Sequence, residues 1–129
     1  MISDKGDKMN FINFSNHSSE YWNEKQRKAA MEWGTIIDVP FPRVDANATG
    51  KDIVKLAEQS VEEILKYNPR VVMCQGEFTL SYAVIRLLKE KNVLVVSACS
   101  DRVTYEEYLD DGTLMKHAQF DFVKFREYE

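Results

Sequence analysis

Three short polar stretches carry the residue types that do chemistry: "SNHSS" at 15–19, "CQGEFTLS" at 74–81 and "SACSDR" at 97–102. His17 is the natural proton carrier among them, since an imidazole with a pKa near 6.5 changes charge close to neutrality. Glu77 reads either as a proton acceptor or as a first-turn acid that complements a helix dipole. Arg102 offers the planar fork that matches phosphate oxygens, unless it pairs with Asp101 on a loop surface. Ser15, Asn16 and Ser18 add hydroxyls and an amide around His17. Gln75, Gly76, Thr79 and Ser81 form a turn into a helix, a place that favours an anion such as phosphate. Ser97 and Ser100 add hydroxyls beside Arg102, and Arg43 within "PFPRVDA" contributes a further cation.

For several of these residues a plain structural role competes with the chemical one. Ser18, Ser19 and Asn23 are ordinary helix N-caps. Phe78, Tyr82 and Tyr21 suit stacking on nucleobases, but Phe78 and Tyr82 stand four apart on a helix and also suit packing on each other. His17, Cys74 and Cys99 together suggest a zinc site or a Cys–His nucleophile. Their spacing matches no zinc signature and cysteine is commonly a small buried apolar residue, so no metal and no cofactor is expected. His117 reads as a surface residue. The "CQGEFTLS" turn is neither a dinucleotide fingerprint nor a Walker loop, which counts against redox chemistry and ATP hydrolysis.

Each polar stretch terminates an apolar run, and that regularity defines the elements that must hold them. "MNFINFS" reads as a strand, "NEKQRKAAMEWG" as a helix stopped by Gly34, and "TIIDV" as a second strand. After a Pro-punctuated loop, Thr49 and Asp52 form a capping box that opens a helix over "GKDIVKLAEQSVEEILKY". "PRVVMC" is a strand covered on both faces, "EFTLSYAVIRLLKEKN" its helix, and "VLVVSA" a fourth strand ending in "CSDR". "VTYEEYL" and "TLMKHAQFDFVKFREY" flank an Asp-Asp-Gly turn and predict a C-terminal antiparallel hairpin. The fold class is α/β: a Rossmann-like three-layer sandwich with a mostly parallel sheet. In such a sheet ligands bind beyond the carboxyl ends of the strands, where all three polar stretches fall.

At 129 residues, 44% hydrophobic, the chain suits one domain. We read residues 1–8 as a disordered leader and 9–129 as the domain. A net charge of −4 argues against coating of long nucleic acid. Apolar runs are too short for a membrane span, and two cysteines without a signal peptide make the cytoplasm the expected compartment.

The stretches "NFSNHSSEYWNEKQRKAA", "IIDVPFPRVDANA" and "CQGEFTLSYAVIRLLKEKNV" resemble the small stand-alone CRISPR-associated proteins of type III systems, with a CARF-type Rossmann-like fold. The resemblance runs from about Met9 to Arg102. It implies a homodimer that binds cyclic oligoadenylate, most commonly cyclic tetra-adenylate, usually across the two-fold axis. Some relatives are ring nucleases that cleave the messenger without metal and switch off antiviral signalling; others only bind it. On this sequence it implies His17, Arg102 and Glu77 as catalytic, with Ser15, Asn16, Ser18, Gln75, Gly76, Thr79, Ser81, Ser97, Ser100 and Arg43 holding the ligand. A flavodoxin-like enzyme or sensor for another nucleotide or phosphate is the alternative of a different class.

Overall fold

Short apolar runs form the parallel part of the sheet, and residues able to cap backbone amides begin each helix. The computed structural model describes residues 8–129. Strand β1 (Asn10–Ser15) leads through a 3₁₀ turn (Ser19–Tyr21) to helix α1 (Glu24–Met31). Strand β2 (Thr35–Asp38), helix α2 (Gly50–Leu65), strand β3 (Pro69–Gln75) and helix α3 (Phe78–Glu90) follow, then strands β4 (Leu94–Tyr108) and β5 (Leu114–Glu127). Of the leader expected over residues 1–8, the first seven lie outside the described residues.

Asn23 Oδ1 accepts from Gln26 N–H at 2.8 Å to start α1. Thr49 and Asp52 exchange both bonds of the capping box, at 3.1 and 2.9 Å, to start α2. Helices α2 and α3 each stop near an asparagine in the left-handed region, Asn68 and Asn92. Gly34 has φ +152°, and a Cβ there would run into the carbonyl oxygen of Met9, so glycine alone lets α1 turn back beside β1.

The sheet order is β2-β1-β3-β4-β5, parallel except for the antiparallel β4–β5 pair. Strand residues alternate between two cores. Phe11, Val71, Met73 and Val96 pack with Ala30 and Trp33 on the α1 side. Ile12, Phe14, Val72, Cys74 and Val95 pack against Ala57, Val61 and Ile64 of α2 and Leu80, Val84 and Leu88 of α3. Burial on both faces is why "VVMC" shows no alternation.

Helices α1 and α2 end two to three residues before the sequence reading, and the fourth strand departs from it most. The fourth strand does not end at Ala98: β4 runs on to Tyr108, and β5 pairs with it from Val96↔Glu127 to Tyr108↔Leu114. β5 supplies the hydrogen-bond partners that "CSDR" would otherwise lack as a loop. The irregularity survives as a bulge, since Cys99 pairs with Lys124 but Ser100 with Phe122, leaving Val123 as the extra residue. The expected Asp-Asp-Gly turn is present, with Gly112 at φ +86° and its N–H on the Leu109 carbonyl at 3.0 Å.

Candidate functional site

Strand order reverses at β1, which lies between β2 and β3, and Ser15 pairs with Gln75 where these two strands end. β4 passes beside them and continues, so the ends of β1 and β3 and the flank of β4 enclose a notch. It is an open cleft of about 960 Å³. This is the switch-point position at which open α/β sheets take ligands.

The β1 wall is wired from beneath by two residues. Asn13, buried within β1, donates through Nδ2 to the His17 carbonyl at 2.8 Å and to Asp38 Oδ1 at 2.9 Å. Ser15 Oγ donates to Asn13 Oδ1 at 2.7 Å and accepts from His17 N–H at 3.3 Å. Asp38, at the end of β2, accepts from the Ser18 and Ser19 hydroxyls, both at 3.1 Å, and from Ser19 N–H. Arg27 Nη2 donates to the carbonyls of Ser19, Glu20 and Trp22. The Ser15 and Ser18 hydroxyls are therefore engaged in holding the loop. The side chains of Asn16 and His17 are exposed and line the cleft.

On the β3 wall, Gln75 Oε1 accepts from Ala98 N–H and ties β3 to β4. A Cβ on Gly76 would fall 2.5 Å from the ring of Phe41, so an aromatic side chain makes the close approach this glycine permits. Glu77 is the N-cap of α3. It accepts from Leu80 N–H at 2.8 Å and Thr79 Oγ1 at 2.7 Å, and these bonds hold its carboxyl below the usual glutamate value. Glu77 and Thr79 face a neighbouring hollow with Tyr82 and Arg86, on the other side of the α3 start from the cleft. Phe78 and Ser81 face the cleft. Phe78 is 90% exposed and Tyr82 is also exposed, so neither is buried by the other. Ser81 is only 7% exposed, and its Oγ has no partner among the described residues. Nearby, Tyr128 donates its hydroxyl to the Cys74 carbonyl at 2.8 Å; burial raises its pKa, opposed by a bond from Ser97.

The third wall is the flank of the β4–β5 pair, where Ser97, Ser100, Phe120 and Phe122 line the cleft. Arg102 lies one rung further out, opposite Phe120, on the face of β4 that also carries Ser100. Arg43 is exposed in the β2–α2 loop and does not line the cleft. Thus the fold brings Ser15, Asn16, His17, Gln75, Gly76, Ser81, Ser97 and Ser100 to one cleft, with Ser18 in the loop beside it. It leaves Glu77, Thr79 and Arg43 outside and Arg102 on the adjoining arm.

The electrostatics of the cleft are unusual for a phosphate site. Its lining, among the described residues, holds no Lys, Arg, Asp or Glu. The amides that open the 3₁₀ turn and α3 already face the carboxylates of Asp38 and Glu77. What remains is amide, hydroxyl and imidazole with aromatic faces: Tyr21, Trp22, Phe78, Phe120 and Phe122. Among the described residues no three His, Cys, Asp or Glu side chains converge to hold a metal. Cys74 is buried, and desolvation pushes its thiol to about 12, so it is no nucleophile at neutral pH. Among the described residues no helix is long and apolar enough to cross a membrane.

Sequence reasoning missed Asn13, Asp38, Tyr128, Phe120 and Phe122. An amide inside the apolar run "FINFS" was a legible signal for Asn13. The aromatics of β5 and Tyr128 carried no local signal, because only the β4–β5 register brings them to the cleft.

These features define a mixed α/β protein with a mostly parallel five-stranded sheet and an uncharged polar cleft at the carboxyl ends of β1 and β3. A family model matches residues 9–126, and the chain belongs to the Uncharacterized protein MJ1673 family. No curated protein and no solved structure shows a significant match to it.

Proposed function

We propose that this is a Rossmann-like, CARF-type protein that binds a cyclic oligoadenylate and linearises it as a homodimer. The observation that carries the reading is the cleft lining, which pairs neutral amides with exposed aromatic faces. Adenine presents donor and acceptor edges that Asn and Gln side chains match, and a π-face that stacks on aromatics. Asn16 supplies such an amide, and Tyr21 and Phe78, at 80% and 90% exposure, supply open rings. The bases occupy the cleft, and the charged ring backbone lies outward toward the arm that carries Arg102.

Cleavage in this reading is intramolecular. The ribose 2′-oxygen bonds to the adjacent phosphorus, the bond from phosphorus to the 5′-oxygen breaks, and a 2′,3′-cyclic phosphate and a 5′-hydroxyl remain. His17 takes the 2′ proton or supplies the 5′ one, and Arg102 faces the phosphoryl charge. A second reading, binding without cleavage, is favoured by one observation: among the described residues the cleft lining holds one imidazole, His17, and no carboxylate, thiol or ammonium to share the proton transfer with it.

The test is incubation of pure protein with cyclic tri-, tetra- and hexa-adenylate in EDTA, with chromatography of bound fraction and products. Linear products from one ring size support the nuclease. A bound, intact ring supports the sequestering protein. No binding removes both and leaves a flavodoxin-like nucleotide or phosphate protein.

A further inference from the structure

β3 pairs with β4 only as far as Met73↔Val96. Beyond that point β4 and β5 project as a two-stranded arm on which Ser100 to Tyr108 are all exposed. Among the described residues no strand pairs with either outer edge of the arm, and the two edges are not alike. The β5 edge carries the Val123 bulge and the cations Lys116, Lys124 and Arg126, devices that blunt an edge against pairing. Over Arg102–Tyr108 the β4 edge has no proline, lysine or bulge, and its sequence, "RVTYEEY", is rich in β-branched and aromatic residues.

The orientation of this edge follows from the turn. Leu109 N–H donates to the Thr113 carbonyl at 2.9 Å, so antiparallel alternation turns the N–H and C=O groups of odd-numbered β4 residues toward β5. Those of Ser100, Arg102, Thr104, Glu106 and Tyr108 point to the open side. We propose that a second copy of this chain pairs antiparallel along this edge, with Thr104 opposite Thr104 of the partner subunit. A two-fold axis there makes every other pair follow. Arg102 meets the partner's Glu106, and Glu106 the partner's Arg102, while Val103 meets the partner's Tyr105. Opposite charges, an aromatic on a β-branched residue, and threonine on threonine are the favourable cross-strand pairs. All edge groups set free by the alternation find partners in this register. Its cost is Asp101 facing the partner's Glu107, a carboxylate that in each copy already meets His117 Nε2 at 2.9 Å.

The dimer completes the cleft. Ser100, on the cleft rim, stands opposite the partner's Tyr108, so the partner's hairpin tip covers the open side. The two Ser100 residues stand roughly 26 Å apart along the strands, so each cleft is closed separately. A guanidinium has five donors, and pairing with a carboxylate leaves Arg102 able to meet a phosphate. The inference rests on the arm alone and stands whatever the cleft binds.

The experiment uses the full chain carrying Cys99→Ser. Val103→Cys and Tyr105→Cys are made separately, oxidised alone, then mixed, allowed to exchange and oxidised again. The register places 103 against the partner's 105 at about 4.5 Å between Cα atoms, within disulfide reach, while identical positions lie too far apart. A cross-linked dimer is expected only in the mixture. By sedimentation, Thr104→Pro, which removes an edge N–H and spares the β5 ladder, should give monomer. Arg102→Glu should weaken the dimer about tenfold, and Arg102→Glu with Glu106→Arg should restore it. Those two residues are too far apart along one strand to pair within a copy. A wild-type monomer at tens of micromolar, a mixture without the cross-link, or a charge reversal that the double variant does not rescue overturns the proposal.

Discussion

Asn13 and Asp38 are joined by a 2.9 Å hydrogen bond between two neighbouring parallel strands, and through it the loop that carries His17 is fixed to the sheet. Asn13 is 2% exposed and spends its amide on two acceptors while accepting from Ser15. Asn13→Ala should cost about 1–3 kcal/mol, because it removes the bonds to Asp38 and to the His17 carbonyl and leaves the Ser15 hydroxyl to donate only to that carbonyl, at 3.2 Å. Urea denaturation measures this. The same variant should lose ligand affinity although residue 13 does not line the cleft, and a fully stable variant with unchanged binding would show that the network does not hold the loop.

Two glycines should respond oppositely to alanine. Gly76→Ala places a methyl against the Phe41 ring and should destabilise by about 1–3 kcal/mol through overpacking. Gly50, the first residue of α2, has nothing within 4 Å of such a methyl. Gly50→Ala should gain about 0.4–1 kcal/mol by restricting the unfolded chain. Thermal melts of the pair decide it, and a tolerated Gly76→Ala would mean that Phe41 moves freely.

Glu77 makes stability depend on pH in a definite direction. Its carboxyl is held low first by the Leu80 amide and then by Thr79, so the native state favours the ionised form. The stabilisation is present above the unfolded pKa of about 4.3 and is lost as pH falls through the lower native value. Glu77→Gln should flatten the fall of stability below that point while lowering the plateau above it. Denaturation from pH 6 to 3 tests this, and a parallel curve would remove the cap from the account.

The two thiols should separate by reactivity. Cys74 is fully buried with its thiol near 12, whereas Cys99 is half-buried at the bulge. Iodoacetamide at pH 8 should label Cys99 in the native protein and reach Cys74 only on unfolding. Mass spectrometry of timed digests reads both rates, and equal labelling would mean that the β3–α3 core opens readily.

Much of this architecture was written in local signals. The Thr49–Asp52 box, the unalternating "VVMC" and the Asp-Asp-Gly turn each determine their own backbone, and they predicted their elements. The extension of β4 was not legible in the same way, because "CSDR" becomes strand only when β5 lies beside it. Its trace was present as a slip of phase, from Phe120 and Phe122 to Phe125, which is the mark of the extra residue Val123. The site was legible to a similar degree. A polar loop after a strand located His17, and Glu77 is held by the N-cap bonds to Leu80 and Thr79 at the α3 start. The contact of Gly76 with Phe41 joins residues 35 positions apart, beyond the reach of any local pattern.

His17 offers the sharpest test of chemistry because the loop grips its backbone and not its ring. The His17 N–H and carbonyl are bonded to Ser15 and Asn13, while the side chain stands exposed in the cleft. His17→Ala should therefore change stability by less than about 0.5 kcal/mol, as expected for an exposed side chain outside any packing or network. If the imidazole carries a proton in ring opening, single-turnover cleavage of cyclic tetra-adenylate should slow by about 10²–10⁴-fold with affinity unchanged. A parallel loss of affinity would place the ring in binding instead, stacked or bonded to a base. A wild-type rate would remove His17 from the chemistry and assign the proton transfer to another group.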